Sequence, residues 1–132
     1  EHADTASRLA GKDGIRYARR LFALSLPTIG LAHFIYLPQT VELVPSWLPF
    51  PAGWAWLTGA ANILACLAIL SGYQARLAAT LEALMLSIIT LLVWGPALVT
   101  RADRMSFTAF FISAAIALAA WIVAGTYRPE TA

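Results

Sequence analysis

The sequence predicts an all-α protein, a four-helix transmembrane bundle with a Pro/Trp-rich outer loop folded onto the membrane face. Of its 132 residues, 60% are hydrophobic and only 12% are charged, whereas a soluble domain carries about 25% charged residues. Four apolar stretches follow one another, each long enough to cross most of a bilayer. A segment rich in proline and tryptophan lies between the first two. So little charge cannot cover a water-soluble fold, and we expect an integral membrane protein.

The four apolar stretches define the expected domain organisation. The predicted spans are residues 21–37, 53–71, 77–99 and 107–125. The third span ends at 99 or already at Gly95–Pro96, because proline breaks a helix. We expect three regions: a polar N-terminal tail or interfacial helix at 1–20, the four-span membrane domain at 21–125, and a C-terminal tail at 126–132.

Residues 30–51 stay apolar although they carry four prolines, at positions 38, 45, 49 and 51. Proline lacks a backbone N–H and clashes with the preceding helical turn, so we expect a non-helical segment here. An apolar segment of this kind lies at the membrane surface or is buried in protein at membrane depth. We predict that it folds back over the outer ends of the spans and buries Trp47 within reach of His33.

The lysines and arginines predict the orientation. Four spans place both termini on one side, and the two tails with the second loop carry seven of the nine Lys and Arg residues. By the positive-inside bias, both termini are cytoplasmic and the proline-rich segment faces outward. We expect a multi-pass protein of the bacterial inner membrane, and not a signal peptide, because no small-residue cleavage site follows the first span. No basic face recurs later, so the net charge of +2 does not indicate nucleic-acid binding.

Small residues recur along the fourth span. Ala109, Ser113 and Ala117 are spaced by four, and Ala61 and Ala65 repeat this spacing on the second span. Small side chains at such intervals let helix backbones approach closely in lipid. We therefore predict a compact bundle in which Ser113 and Ala117 lie at a helix–helix contact.

Polar residues inside the bilayer are the most informative positions, because each costs free energy unless it is paired. His33 lies in the outer third of the first span, about 20 Å from Arg20, and Thr58 reaches a similar depth on the second. One interpretation is that His33 donates a hydrogen bond to a ligand lodged beneath Trp47. The other is that it bonds a loop carbonyl or Thr58 and pins the outer segment, as interhelical polar pairs commonly do.

Glu82 is the only acidic residue in the middle of a span, and Asn62 lies at a nearby depth on the second span. Thr58, Asn62 and Cys66 share one helix face, because they are spaced by four. In one interpretation Glu82 is a proton-accepting or ligand-binding carboxylate, and in the other it is protonated or bonded to Asn62 and fixes the bundle. The candidate ligand-binding residues are therefore His33, Trp47, Thr58, Asn62 and Glu82.

The sequence also excludes several kinds of site. Cys66 is the single cysteine, so the chain has no internal disulfide and no Cys-x-x-Cys redox pair. We expect no metal site, because neither histidine has a ligand-spaced partner, and no catalytic nucleophile–base pair is present. Glu42, Arg101 and Arg104 are expected to be solvated, although a Glu42 pair with either arginine would tie the outer loops together by about 0–1 kcal/mol.

One set of residues resembles a known family: Gly30-x-x-His33-Phe34, then Pro38, then Val44-Pro45-x-Trp47-Leu48-Pro49, then Thr58-Gly59 early in the second span. It resembles the DoxX-like family of small bacterial membrane proteins over about residues 19–125. The resemblance implies a four-helix membrane bundle, and the family's name-giving member is the membrane subunit of a thiosulfate:quinone oxidoreductase. Many relatives carry an acidic residue shortly after the Thr-Gly pair, where this chain has Asn62. If that acid serves proton or quinone chemistry, its absence weakens an enzymatic interpretation, and Glu82 is the residue that could substitute for it in space.

Three hypotheses about function follow. In the first, the chain is a non-catalytic accessory subunit that packs against other membrane subunits, or against itself, in a larger membrane complex of redox type. In the second, it holds a quinone or another apolar ligand for an oxidoreductase, with His33 and Trp47 at the head group. In the third, it handles a small solute or lipid through Glu82 and Asn62. We favour the first, because the chain has no cofactor motif of its own and is not expected to be catalytic alone.

Overall fold

A computed structural model describes residues 11–127, and every regular element in that range is a helix. The elements are α1 (Lys12–Ile35), α2 (Leu37–Leu43), α3 (Pro51–Ser71), α4 (Ala75–Ile89), a π-helical turn (Thr90–Trp94), α5 (Gly95–Thr100) and α6 (Arg104–Gly125). α3, α6 and the continuous helix Ala75–Thr100 are each long and apolar enough to cross a membrane. α1 and α2 qualify as a pair, with a 93° bend between them. The prediction of a helical transmembrane bundle is confirmed.

The predicted tails extend beyond the described residues, so 1–20 is described only from Gly11 and 126–132 only as far as Tyr127. α1 begins at Lys12 and continues through Pro27 to Ile35. Its 24 residues correspond to about 36 Å of helix, more than a hydrocarbon core of about 30 Å. α1 is therefore long enough to cross the bilayer and still extend its basic first turns into the headgroup region.

The four long helices form two tightly packed pairs. α1 packs along α3, α4 packs along α6, and contacts between α3 and α4 join the two pairs. α1 and α6 touch far less, so the ring of helices is closed on three sides and nearly open on the fourth. We call this fourth side the α1–α6 seam.

The tightest approach joins α1 to α3 and depends on two glycines. A Cβ on Gly30 would lie 2.7 Å from the carbonyl oxygen of Gly59, closer than real Cβ contacts come. A Cβ on Gly59 would lie 2.8 Å from the ring tip of Phe34, whose ring is 4.9 Å from that of Trp56. Without side chains at these two positions, the backbones come into direct contact, which is the usual way for helices to gain van der Waals packing in lipid.

Small side chains also fill the interior of the bundle. One buried cluster joins all four long helices and consists of Ala23, Leu26, Ala65, Cys66, Ile69, Ala79, Val123 and Ala124. A second joins α4 to α6 and consists of Ala83, Leu86, Ala117 and Ala120. Ala117 is 6% exposed, and the Ser113 hydroxyl lies 2.6 Å from that of Thr90. The prediction that Ser113 and Ala117 lie at a helix–helix contact is confirmed.

The third span does not end at Gly95–Pro96. The backbone N–H of Gly95 donates to the carbonyl of Thr90, five residues earlier, which forms the π-helical turn. This wider turn places Pro96 in the first turn of α5, where its missing N–H leaves no hydrogen bond unmade. The helix therefore continues to Thr100, and Thr90 is aligned with Ser113 on α6.

The outer segment differs from the prediction in being partly helical. Residues 37–43 form α2, because Pro38 stands in its first turn, where a proline needs no N–H partner. The chain leaves the helix at Val44, turns through the remaining prolines and reaches Phe50, whose φ of 57° lies in the left-handed region. α3 then begins at Pro51. Since α2 makes an angle of 93° with α1, it lies across the end of the bundle and not along it.

Candidate functional site

The predicted site residues do not come together in one place. His33 and Thr58 are half-buried near the α2 end of the bundle, whereas Asn62 and Glu82 are buried in its interior. Trp47 lies in the turn after α2 and is 67% exposed. The described residues therefore offer two buried polar side chains, on neighbouring helices, and an exposed aromatic segment.

His33 is satisfied within its own helix. Its Nδ1 atom lies 2.8 Å from the carbonyl oxygen of Ile29, one turn earlier on α1, and donates to it when Nδ1 carries the proton. No hydrogen bond joins His33 to Thr58 or to residues 37–50, all of which are described. The prediction that His33 bonds the outer segment or Thr58 is therefore wrong, because the imidazole bonds the carbonyl one turn earlier on its own helix.

Trp47 is not buried against His33, so that prediction is also wrong. A different tryptophan pins the turn: Trp54, in the first turn of α3, donates from Nε1 to the carbonyl of Pro49 at 2.8 Å. This bond ties the turn to the start of α3, and Phe50, with its left-handed backbone, is 83% exposed. The segment thus presents two aromatic side chains at the molecular surface.

Asn62 belongs to a short hydrogen-bonded series along α3. The Thr58 hydroxyl donates to the Trp54 carbonyl at 2.9 Å, and Nδ2 of Asn62 donates to the Thr58 carbonyl at 2.8 Å. The Asn62 Cβ lies 3.2 Å from where a Cβ on Gly30 would stand, so this residue faces α1 just beside the glycine contact. Its side chain is fully buried, and Oδ1 has no hydrogen-bond partner.

Glu82 is the second buried polar residue without full pairing. It is 2% exposed, and its Oε1 atom has no partner. Its neighbours on the inward face of α4 are Ala79, Ala83 and Leu86, which belong to the two buried clusters and offer no polar atom in their side chains. No hydrogen bond joins Glu82 to Asn62, so the interpretation in which Asn62 holds Glu82 is wrong.

An unpaired polar oxygen in a dry interior costs about 1–3 kcal/mol, and more when it carries charge. Residues 11–127 contain two such oxygens, on neighbouring helices that pack against each other. In chemical terms Asn62 Oδ1 can only accept a hydrogen bond, whereas the Glu82 carboxyl accepts when ionised and donates when protonated. Each oxygen is thus able to accept a hydrogen bond, and the Glu82 carboxyl is in addition able to carry a proton.

A basic clamp that the sequence did not predict closes the other end of the bundle. Arg19 donates from Nε to the Thr126 hydroxyl at 2.7 Å and from Nη2 to the Thr126 carbonyl. Its guanidinium also lies 3.8 Å above the ring of Tyr127. The start of α1 and the end of α6 are therefore fastened together at one end, which we call the Arg19 end. Arg19 and Thr126 are 107 residues apart, so no local sequence pattern could have predicted this clamp.

The charges at the α2 end are solvated. Glu42, Arg101 and Arg104 are all exposed, and no ion pair joins the glutamate to either arginine. Asp103 is the N-cap of α6 and accepts from the Ser106 backbone N–H at 2.7 Å. That hydrogen bond lowers the pKa of the Asp103 carboxyl below its ordinary value.

Across residues 11–127, no group of three His, Cys, Asp or Glu side chains is arranged to hold a metal ion. Cys66 is buried in the first alanine-rich cluster and is unpaired. Its position explains why a cysteine is tolerated there, since a thiol packs as a small apolar group.

Comparison with known proteins agrees with the architecture. The family model described as DoxX matches residues 14–95, which include the glycine contact, the outer segment, Asn62 and Glu82. α6 lies beyond the matched range. No curated protein and no solved structure matches the chain. Since the family model covers more than half of the 132 residues and the helices are apolar enough to span a bilayer, the chain is an integral membrane protein of the DoxX family.

Proposed function

We propose that the chain is a non-catalytic accessory subunit of a larger membrane complex, of redox type, and that it presents its outer segment to a partner subunit. The observation that carries this proposal is the exposure of Trp47 and Phe50, at 67% and 83%. Aromatic side chains are enriched at the centres of protein–protein interfaces, where they contribute much of the binding free energy.

The local backbone supports this proposal. Phe50 adopts a φ of 57°, which is costly for a bulky residue, by about 1–3 kcal/mol. The strain is maintained by the bond from Trp54 to the Pro49 carbonyl and by Pro51, which disfavours the right-handed region for the preceding residue. Strained conformations that display a side chain are concentrated at functional sites.

Photo-crosslinking tests the proposal. A crosslinking amino acid at position 47 or 50 is expected to capture another membrane protein in native membranes. Position 74 is the matched control, because Gln74 is also exposed and left-handed but lies in the turn before α4, at the Arg19 end. Capture of lipid alone at 47 and 50, or equal protein capture at 74, contradicts the proposal. Capture of this same chain identifies self-association.

A second candidate function is the binding of a quinone or another apolar ligand with a polar head, and the two unpaired oxygens of Asn62 and Glu82 favour it. A ligand that donates to Asn62 Oδ1 and pairs with Glu82 removes the cost of leaving both groups unsatisfied. Since His33 is bonded to Ile29 and Trp47 is exposed, we assign the head group to Asn62 and Glu82 and not to the outer segment.

An organic extract of the purified protein is the test of this second function. Quinone is expected in the extract of the natural protein and is expected to be lost from Asn62→Leu and Glu82→Leu. Thr80→Ala is a control on α4, since the Thr80 hydroxyl bonds only the Arg76 carbonyl within the same helix. Quinone that survives both core substitutions does not bind at this site, and absence of quinone from every extract rejects the ligand.

We also propose that the Arg19 end faces the cytoplasm of a bacterial inner membrane. The support is the concentration of Lys and Arg in the first turns of α1, with Arg76 in the first turn of α4 at the same end. Single cysteines at Gln39 and Gln74, in a Cys66→Ala background, distinguish the two ends. Labelling of Gln39 but not Gln74 from outside intact cells supports this orientation, and the reverse pattern inverts it.

A further inference from the structure

The α1–α6 seam contains a groove with a volume of about 550 Å³. Its α1 wall carries Phe22, Ser25, Thr28 and Ile29, and its α6 wall carries Ala115, Ile116 and Ala119. The lining is almost entirely apolar, and alanines on α6 create the width. Because every other side of the bundle is closed by helix packing, this groove is a lateral opening in the side of the protein.

A cation lies beyond one end of the groove. Arg19 lies one turn before Phe22 on α1, and Thr126 lies two turns after Ala119 on α6, so their clamp bridges the two walls beyond the Arg19 end of the groove. The clamp uses two of the five guanidinium N–H groups. The remaining donors can bind an oxyanion. The groove can take up the apolar tail of an amphiphile, and the arginine beyond it can bind the anionic head group of the same molecule.

The distance from the clamp to the far end of the groove selects the class of amphiphile. From Arg19 to Ile29 is ten residues, or about 15 Å of helix. This is half of a hydrocarbon core of about 30 Å, the depth of a single leaflet. A transmembrane helix from a partner would need a surface along the full thickness, whereas one acyl chain needs only half of it.

We propose that the groove is a binding site for an anionic phospholipid, with one acyl chain between α1 and α6 and its phosphate on Arg19. The arginine matches a phosphate, since its planar N–H groups bind two oxygens together. Charge complementarity distinguishes this ligand from a zwitterionic lipid, whose ammonium offsets the attraction. The lipid also covers the one side of the bundle that helix packing leaves open.

Lipid exchange in nanodiscs tests this proposal. The protein is reconstituted in mixtures of phosphatidylglycerol and phosphatidylcholine, and the lipids that stay bound are counted by native mass spectrometry. One arginine near an anionic surface corresponds to about a fivefold preference, which is the enrichment of phosphatidylglycerol that we expect. Arg19→Gln should abolish the enrichment. Arg20→Gln is the matched control, since Arg20 is an exposed neighbour outside the clamp, and should retain it.

A second pair of variants separates the groove from the clamp, because Arg19→Gln also releases α6. Ala119→Phe fills the groove and leaves Arg19 in place, so it should reduce the amount of bound lipid. Leu118→Phe adds the same ring at an exposed position beside the groove and should not. Equal retention of the two lipids, enrichment that survives Arg19→Gln, or binding unchanged by Ala119→Phe would each overturn the proposal. A crosslink between copies through position 115 would show a second chain in the groove instead. None of these outcomes depends on whether the outer segment binds a partner.

Discussion

The glycine contact between α1 and α3 makes the sharpest stability prediction. In Gly30→Ala the new methyl would lie 2.7 Å from the Gly59 carbonyl oxygen, 3.0 Å from Cγ1 of Ile63 and 3.2 Å from Cβ of Asn62. The closest of these atoms belongs to backbone, which cannot rotate away as a side chain can. The two helices must therefore separate or shift along each other.

The expected magnitude follows from two opposing effects. Overpacking a well-packed contact costs about 1–3 kcal/mol, whereas alanine is favoured over glycine within a helix by about 0.5–1 kcal/mol. We expect Gly30→Ala to lose up to about 2.5 kcal/mol in the free energy of unfolding. Gly53→Ala on α3 gains the same preference of alanine over glycine in a helix, but its Cβ would meet no atom closer than 3.7 Å. The difference between the two variants isolates the clash.

Gly59→Ala should fall between them. Its closest contact is the ring tip of Phe34, a side chain that can move, and its backbone contact, the Gly30 carbonyl oxygen, lies at 3.0 Å and not at 2.7 Å. Unfolding by a denaturing detergent in mixed micelles measures all three variants, with tryptophan emission as the signal. Trp56 reports on the contact directly, since its ring packs on Phe34 at 4.9 Å. If Gly30→Ala and Gly53→Ala unfold at the same denaturant concentration, the backbones do not meet at Gly30 and the reasoning fails.

Three further predictions concern the other contacts. Ala117→Leu should lower the melting temperature in detergent, because Ala117 is 6% exposed and a larger side chain forces α4 from α6; an unchanged melting curve would place this face in lipid. Ser113→Ala should cost about 0.6 kcal/mol by removing the bond to Thr90, measured by the same detergent unfolding; a Thr90→Val change should then add little, and full additivity would refute the coupling. Stability should also fall in acid as Asp103 is protonated. The Ser106 N–H lowers the pKa of Asp103 in the folded state, so the contribution of this carboxylate to the free energy of unfolding is fully present above the ordinary pKa of 3.8. That contribution is lost as the pH falls through the folded-state pKa. Asp103→Asn keeps a capping oxygen and should weaken that dependence, whereas an identical pH profile would contradict it.

The outer segment illustrates how far local rules reach. Four prolines correctly indicated that no long helix continues through residues 38–51, but α2 forms because Pro38 falls in its first turn. The effect of a proline depends on its position within a helix, and the sequence by itself does not show where this helix begins. The exposure of Trp47 could not be predicted either, since Trp54 competes for the same turn through its bond to Pro49.

The sequence alone determined the class of protein and the number of long helices. These properties depend on composition and on the fixed rise of a helix, both of which are local. The tertiary structure alone decided which faces meet: Gly30 against Gly59, Arg19 on Thr126, and Asn62 and Glu82 buried without a bond between them. The rotation of each helix about its axis selects those contacts. These helices carry apolar residues on most of their faces, so hydrophobic periodicity gives little information about that rotation. The close packing of small residues fixes the rotation instead.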